Sequence, residues 1–285
     1  FNTVEAVGMD FCPELGVSIP VGKDSLSMRT LWEDGQGRPH TVTPPMSLVV
    51  SAFAAVTDVR DVVTPELKPE AGTQLLLIDL GRGRNRLGAS CLDQVFERHG
   101  SDVPDVEAAD VRNLFALVQT LLHEGHLLAC HDRSDGGLLT TITEMAFAGR
   151  QGVEIHLSSD DPLAELFAEE IGVVLQIRDE ASNAIDTIIA KHGLTDLCRR
   201  VARVDGSLDA LQINDAEGRQ IYHRSLADLQ RAWSELTWHM QSRRDEPTSA
   251  TEQYDAILDR DDPGLTLTAP FEFGITRSKS DLRPR

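Results

Sequence analysis

The seven residues His131-Asp132-Arg133-Ser134-Asp135-Gly136-Gly137 gather more potential chemistry than any other stretch of this chain. The apolar run Leu127 to Cys130 predicts a strand that delivers them, and a helix is expected from Gly137 or Leu138 to about Ala148. The opening amides of a helix have no internal partner, and their dipoles favour an anion. Two glycines let a phosphate come close to the backbone. Asp132 and Asp135 offer oxygen ligands to Mg²⁺, a hard cation that bridges nucleotide phosphates. The Ser134 hydroxyl can bond a phosphate or a ribose. On spacing alone, an Asp/Ser helix cap followed by a turn is the simpler account of the same residues.

Two further loops carry cations. Gly22-Lys23-Asp24-Ser25-Leu26-Ser27-Met28 imitates a phosphate-binding loop but does not meet its pattern: Gly16 lies one residue too far back, and Asp24 follows the lysine where Ser or Thr is required. Lys23 can still meet a phosphate, and a solvated turn explains the stretch equally well. Gly81-Arg82-Gly83-Arg84-Asn85-Arg86-Leu87-Gly88 clusters three arginines at a strand-to-helix turn. They can hold phosphate, but a surface turn is the plainer expectation, with Gly88 allowing close helix packing. The remaining histidines, including His99, are scattered without metal-ligand spacing. Cys12, Cys91, Cys130 and Cys198 form no CxxC pair, so a zinc site is not expected and buried free thiols are. Trp32, Trp233 and Trp238 read as packing residues.

The elements that must position these groups follow from periodicity. Residues 1–12 read as a helix end, Val17 to Val21 as a short strand, and 26–33 with 39–43 as a hairpin about a polar turn. Met46 to Val56 is apolar and β-branched and is expected to be a buried strand. The segment 64–72, with two prolines and a glycine, reads as a boundary. Beyond it, strands and helices alternate: strand 74–80, helices near 86–98 and 107–124, then the pieces 152–157, 161–169, 172–178, 179–192 and 197–204. Residues 209–222 read as a hairpin and 223–242 as a helix with Leu226, Leu229, Trp233, Leu236 and Met240 on one apolar face. After Arg243 the chain turns acidic and reads as a linker.

The 285 residues suffice for one large domain or two small ones. The formal net charge is −19, so an anionic ligand needs a locally built site, and a nucleic-acid partner is not expected. No apolar run reaches the ~20 residues of a membrane helix, so no membrane partner is expected either. The opening Phe1 to Val7 lacks a signal-peptide core and reads as the middle of a helix in a longer chain. Free cysteines point to a reducing, cytoplasmic setting.

Several blocks occur in order: Pro20-Val21-Gly22-Lys23-Asp24-Ser25-Leu26-Ser27-Met28, Leu77-Ile78-Asp79-Leu80-Gly81, the 131–137 block with Leu138, Glu144-Met145-Ala146-Phe147-Ala148-Gly149, Leu166-Phe167-Ala168-Glu169-Glu170-Ile171-Gly172 and Asp262-Pro263-Gly264-Leu265. Together they resemble the large, single-chain phosphoribosylformylglycinamidine synthases across nearly the whole chain. The resemblance implies an α/β (α+β) fold similar to aminoimidazole ribonucleotide synthetase. The end of a ferredoxin-like N-terminal part (1–63) and a linker (64–72) would precede a C-terminal α/β domain (73–242) and an acidic linker (243–285) toward a glutaminase domain. The activity implied is ATP-dependent amidation of formylglycinamide ribonucleotide, with ammonia drawn from glutamine, by a full-length enzyme that is monomeric. The family's Mg²⁺-binding aspartate falls on Asp132 and its ATP/ADP-contacting serine on Ser134. Lys23, Gly136 and Gly137 are secondary candidates for the nucleotide phosphates. The arginine cluster has no counterpart in the family pattern.

Two alternatives stay beside this one: another ATP-binding relative such as selenophosphate synthase or thiamine-monophosphate kinase, whose Cys- or Asp-rich N-terminal loops are not seen here, and a non-catalytic, structural nucleotide-binding module. On the leading reading, the chain by itself is expected not to complete the synthase reaction.

Overall fold

The computed structural model describes residues 1–25, 28–45, 47–56, 58–98, 100, 102–262 and 264–271. The expectations that touch Leu26, Ser27, Met46, His99 and Pro263 therefore lie outside the described residues. The chain falls into two units, Phe1–Leu229 and Gln230–Arg285.

The first unit opens with helix α1 (Asn2–Glu5), a π-wound stretch over Ala6–Phe11, and α2 (Cys12–Leu15), which ends at Gly16 in the left-handed conformation. The expected hairpin is present: β1 (Thr30–Glu33) pairs antiparallel with β2 (Pro39–Val42). Its turn is organised by Asp34, whose carboxylate accepts the Gln36 and Arg38 amides at 2.9 and 3.0 Å. Two strand expectations are corrected. Residues 17–21 and 47–56 are irregular and exposed, with Val49 at 90% and Phe53 at 95%. A β-branched run becomes a strand only where neighbouring strands pair its amides, and no described strand lies beside it.

The following elements are β3 (Thr73–Asp79), α3 (Cys91–Val95), α4 (Ala108–His123), β4 (Ala129–Arg133), α5 (Gly137–Gly149), β5 (Gly152–His156), α6 (Pro162–Phe167), β6 (Gly172–Arg178), α7 (Ser182–Lys191), β7 (Cys198–Asp205), β8 (Ala210–Asn214), β9 (Gln220–Ser225) and α8 (Leu226–Arg244). The strands form one mixed sheet in the order β4-β6-β3-β7-β5-β8-β9, with β5–β8 parallel and the other pairs antiparallel. The α/β class is thus as expected.

Strand β3 explains why the sheet is layered. Its side chains alternate between faces. Leu75 and Leu77 join a core with Leu138, Ile142 and Met145 of α5. Leu76 and Ile78 join a second core with Leu117 and Leu121 of α4 and Ile185, Ile188 and Ile189 of α7. A strand covered on both faces must be apolar throughout, which is why Leu75 to Ile78 runs unbroken. The three- and four-residue spacing within each helix puts its buried side chains on one stripe.

The segment 64–72, expected as a linker, is pinned to the sheet. Leu67 is buried, the Thr64 carbonyl accepts the Cys130 amide at 3.1 Å, and the Lys68 amide donates to Gln176 Oε1 at 2.8 Å. The helix expected over 86–98 shrinks to Cys91–Val95, capped by Ser90. The residues before it are held in a loop, where a Cβ on Gly88 would lie 2.5 Å from the Asp102 carbonyl.

Helix α8 forms as its spacing predicts, but its apolar stripe is only partly covered. Leu226 and Leu229 reach the α5-side core, whereas Trp233, Leu236 and Met240 are each more than half exposed. Periodicity specifies a face and says nothing about what covers it.

In the second unit, the region expected as a linker holds a further helix, α9 (Pro247–Asp255), with Pro247 at its start and Glu246 capping the Ser249 amide at 2.6 Å. Tyr254 stacks on Trp238 at 4.7 Å, lies under the Arg231 guanidinium at 3.9 Å, and donates its hydroxyl to the Arg231 carbonyl at 3.1 Å. Aromatic stacking and cation–π contacts give a polar sequence a reason to order. Tyr254→Ala removes all three contacts, and trypsin is then expected to cut at Arg243 and Arg244 several-fold faster, because local opening sets cleavage. An unchanged cleavage time course would show that Tyr254 does not hold this pair of helices.

Candidate functional site

Strand β4 lies at one edge of the sheet, and its C-terminal end delivers the 131–137 block. Period-two alternation separates the side chains. Arg133 turns inward and its side chain is 1% exposed, while that of Asp132 is 75% exposed. Ser134 is exposed beside it. The turn that follows closes with the Gly137 amide on the Ser134 carbonyl at 2.9 Å. Gly136 sits at φ 81°, ψ 1°, the third position of a type II turn, which needs glycine. Gly137 is required twice over: its φ is +67°, and a Cβ there would lie 2.8 Å from the Leu166 and Ala168 carbonyls.

Beneath the block runs a buried ionic chain. Arg133 donates through Nε to the Glu170 carbonyl at 2.6 Å, and its guanidinium also bonds Asp79. Asp79 at the end of β3 accepts the amides of Gly81 and Gly83 at 3.0 and 2.7 Å. Glu170 is fully buried and takes Arg86 in a two-pronged pair, Nε to Oε1 at 2.8 Å and Nη2 to Oε2 at 2.7 Å. Burial would raise the Glu170 carboxyl, but the Arg86 donors outweigh it and hold it below the usual range. The same contact raises Arg86.

Arg86 is therefore no surface cation: it is a buried counter-ion, and this part of the arginine loop is corrected. Arg82 pairs with Asp110 at 2.5 Å, and Arg84 bonds the Gly81 carbonyl at 3.0 Å. The local sequence shows three similar arginines at alternate positions, and only the fold tells them apart. The partners Asp79 and Glu170 were not singled out for chemistry. The adjacent acids Glu169-Glu170 inside an apolar stretch were the available signal.

Around Asp132 the groups are polar. His131 Nδ1 lies 3.2 Å from Asp132 Oδ1, and its Nε2 lies 2.9 Å from Glu144 Oε2. Glu169 Oε1 accepts the amides of Gly136 and Cys91, each at 2.8 Å. Cys91, Asp135 and Glu169 can bring ligand atoms within 4.8 Å of one another. Burial, and then Glu169 and Asp135, push the Cys91 thiol up, which disfavours a reactive thiolate.

The amides of Gly136 and Gly137, expected to face a phosphate, are thus bonded within the protein. The side chains of Asp132 and Ser134 remain as the outward-facing groups. The Asp132 carboxylate can offer one oxygen to a hard cation. Lys23 lies in an exposed loop and bonds Ser25. No hydrogen bond or ion pair among the described residues ties it to Asp132 or Ser134.

Residues 70–210 match the C-terminal domain of AIR synthase related proteins, and residues 1–55 match the FGAR-AT PurM_N-like domain. Solved structures agree on the fold. "Structure of PurLQS from Thermotoga maritima" superposes with a TM-score of 0.54 at 14% identity, covering 78% of this chain and 34% of that one. T. maritima PurL complexed with ATP gives 0.53 at 15% identity over 77% of this chain and 34% of its own. The same protein complexed with FGAR gives 0.54 at 14% identity over 77% and 36%. Residues 70–210 thus carry the C-terminal domain of AIR synthase related proteins, and the fold agrees with it. More particularly, the chain is PurL-like, with an FGAR-AT-type segment preceding the AIR synthase-type domain. It spans about a third of the length of the solved chains it matches. No helix among the described residues is long and apolar enough to cross a membrane.

Proposed function

We propose that this chain supplies the second synthetase-like unit of a phosphoribosylformylglycinamidine synthase. The reaction is the ATP-dependent amidation of formylglycinamide ribonucleotide with ammonia from glutamine, in the cytoplasm. The observation that supports it best is the pairing of that domain order with Asp132 and Ser134, which face outward at the end of an edge strand whose neighbour Arg133 is locked inside.

In this reading the Asp132 carboxylate holds Mg²⁺ and the Ser134 hydroxyl orients the nucleotide. When bound, Mg²⁺ supplies neutralisation of phosphate charge. Phosphoryl chemistry asks chiefly for positioning and charge stabilisation, and this chain's part is to present the two side chains at a fixed spacing. Gly136 and Gly137 shape the turn between strand and helix. Lys23 is proposed to meet phosphate only if its exposed loop closes on the nucleotide.

Asp132→Asn keeps the shape and removes the charge. Loss of a charged interaction is worth about 1.5–3 kcal/mol, so the dissociation constant of Mg·ADP, measured by titration calorimetry, is expected to rise by roughly 10–100-fold. Wild-type affinity in the variant, or no binding by the parent chain, would refute the assignment.

A further inference from the structure

We infer that Glu169 is a positioning residue: its carboxylate fixes the Ser134–Gly137 turn, and with it Ser134, by accepting two backbone N–H groups. The inference rests on the nucleotide reading of Asp132 and Ser134 and goes beyond it. Neither the family pattern drawn from the sequence nor the fold match gives Glu169 a task.

The geometry is specific. Glu169 Oε1 receives the Gly136 amide and the Cys91 amide, each at 2.8 Å. Gly136 is the third residue of a turn closed by the Gly137 amide on the Ser134 carbonyl. The closing bond leaves the Gly136 amide pointing away from the turn. With Glu169 removed, that N–H and the Cys91 N–H both lose their acceptor in a half-buried place, where an unmade hydrogen bond is costly. The turn then depends on its single closing bond and on a glycine with wide conformational freedom.

The next residue completes the anchor. The Glu170 carbonyl receives Arg133 Nε at 2.6 Å, so residues 169 and 170 grip the block on both sides of Ser134. The side chain on one flank and the main chain on the other leave Ser134 little room to shift. A site works only when its supporting contacts hold the first contacts in place.

Glu169 faces backbone donors in this account, so it needs an acceptor oxygen and not a negative charge. That sets it apart from the competing idea that Cys91, Asp135 and Glu169 ligate a cation. Glu169→Gln retains an oxygen for both amides but ligates a cation poorly. Glu169→Ala retains neither.

The experiment uses the full chain and two readouts. Amide exchange is followed by NMR at Gly136 and Cys91, with Leu76 of the central strand as a control. Mg·ADP affinity is measured by calorimetry. For Glu169→Ala, exchange at Gly136 and Cys91 is expected to speed at least tenfold with Leu76 unchanged, and the dissociation constant to rise about 10-fold or more, as for outer contacts that orient a ligand. Glu169→Gln is expected to stay near the parent in both. If Glu169→Gln loses affinity as Glu169→Ala does, the charge matters and the inference is overturned. Parent-like exchange at Gly136 in Glu169→Ala also overturns it. If the parent chain binds no Mg·ADP, the nucleotide reading fails, while the exchange data still decide whether Glu169 holds the turn.

Discussion

Leu77→Asp is expected to leave the chain without a folded sheet. Leu77 lies in the middle of β3, fully buried, opposite Val174 on β6 and Arg199 on β7. Its side chain packs in the core that includes Leu138, Ile142, Met145 and Val201. Aspartate there is ringed by apolar side chains, and Arg199 across the strand is already paired with Glu165 at 2.5 Å; a buried charge left short of partners is among the few changes that cost more than about 4–5 kcal/mol. That is comparable with the whole stability of many domains, about 5–15 kcal/mol. Leu77→Ala, which only opens a cavity, is expected to cost about 2–5 kcal/mol and to leave a folded protein with a lower urea midpoint. Urea unfolding followed by circular dichroism decides the matter. A soluble Leu77→Asp chain with the parent midpoint would show that β3 is not the centre of the core.

Glu170→Ala carries the second large effect. The substitution leaves the Arg86 guanidinium buried with the Asp105 carbonyl as its remaining partner, strips the Arg86 amide of its acceptor, and opens space against Gly81. Breaking a buried pair from one side costs about 3–5 kcal/mol. Replacing both partners by apolar residues, as in Arg86→Met with Glu170→Leu, removes the stranded charge, and much of the loss should return.

The pair also predicts a pH dependence. Although burial opposes it, the Arg86 contacts hold the Glu170 carboxyl below its ordinary value of 4.5. A carboxyl depressed in the folded state binds fewer protons folded than unfolded around that pH. Its contribution is therefore complete above 4.5 and is lost as pH falls through the lower folded value. The urea midpoint of the parent is expected to drop steeply on acidification below that point. The apolar double variant should lack this component of the drop. Identical acid profiles for the two proteins would rule out the linkage.

The elements that could be read in advance are those whose burial is dictated by neighbours in sequence. Strand β3 is apolar on both faces, and α4, α5 and α7 carry stripes at three- and four-residue spacing. Each pattern admits one regular structure, so local physics suffices. Residues 47–56 show where this fails. Their composition suits a strand, but a strand exists only by pairing, and pairing is a property of what lies alongside. Helix α8 shows the same limit in another form, because its stripe is real and half of it stays exposed. Helix α9 was hidden for the opposite reason: its ordering comes from Tyr254 against Trp238 and Arg231, and not from apolar spacing.

The site divides along the same line. Asp132 and Ser134 could be picked out because a strand end, a glycine turn and a helix start are contiguous there and because the block resembles the synthase family, while the strand's alternation accounts for Asp132 facing outward beside the inward Arg133. Their support was not visible. Arg133 reaches Asp79 across 54 residues, and Arg86 reaches Glu170 across 84. Which of three neighbouring arginines is buried, and which of two neighbouring glutamates holds the Gly136 turn and which pairs with a guanidinium, depends on where β3, β4 and β6 end in space. Residue order and resemblance pointed to the pair Asp132 and Ser134. Tertiary structure decided what holds it still, because charge pairing inside a protein is settled by distance and exclusion of water, and neither quantity is written along the chain.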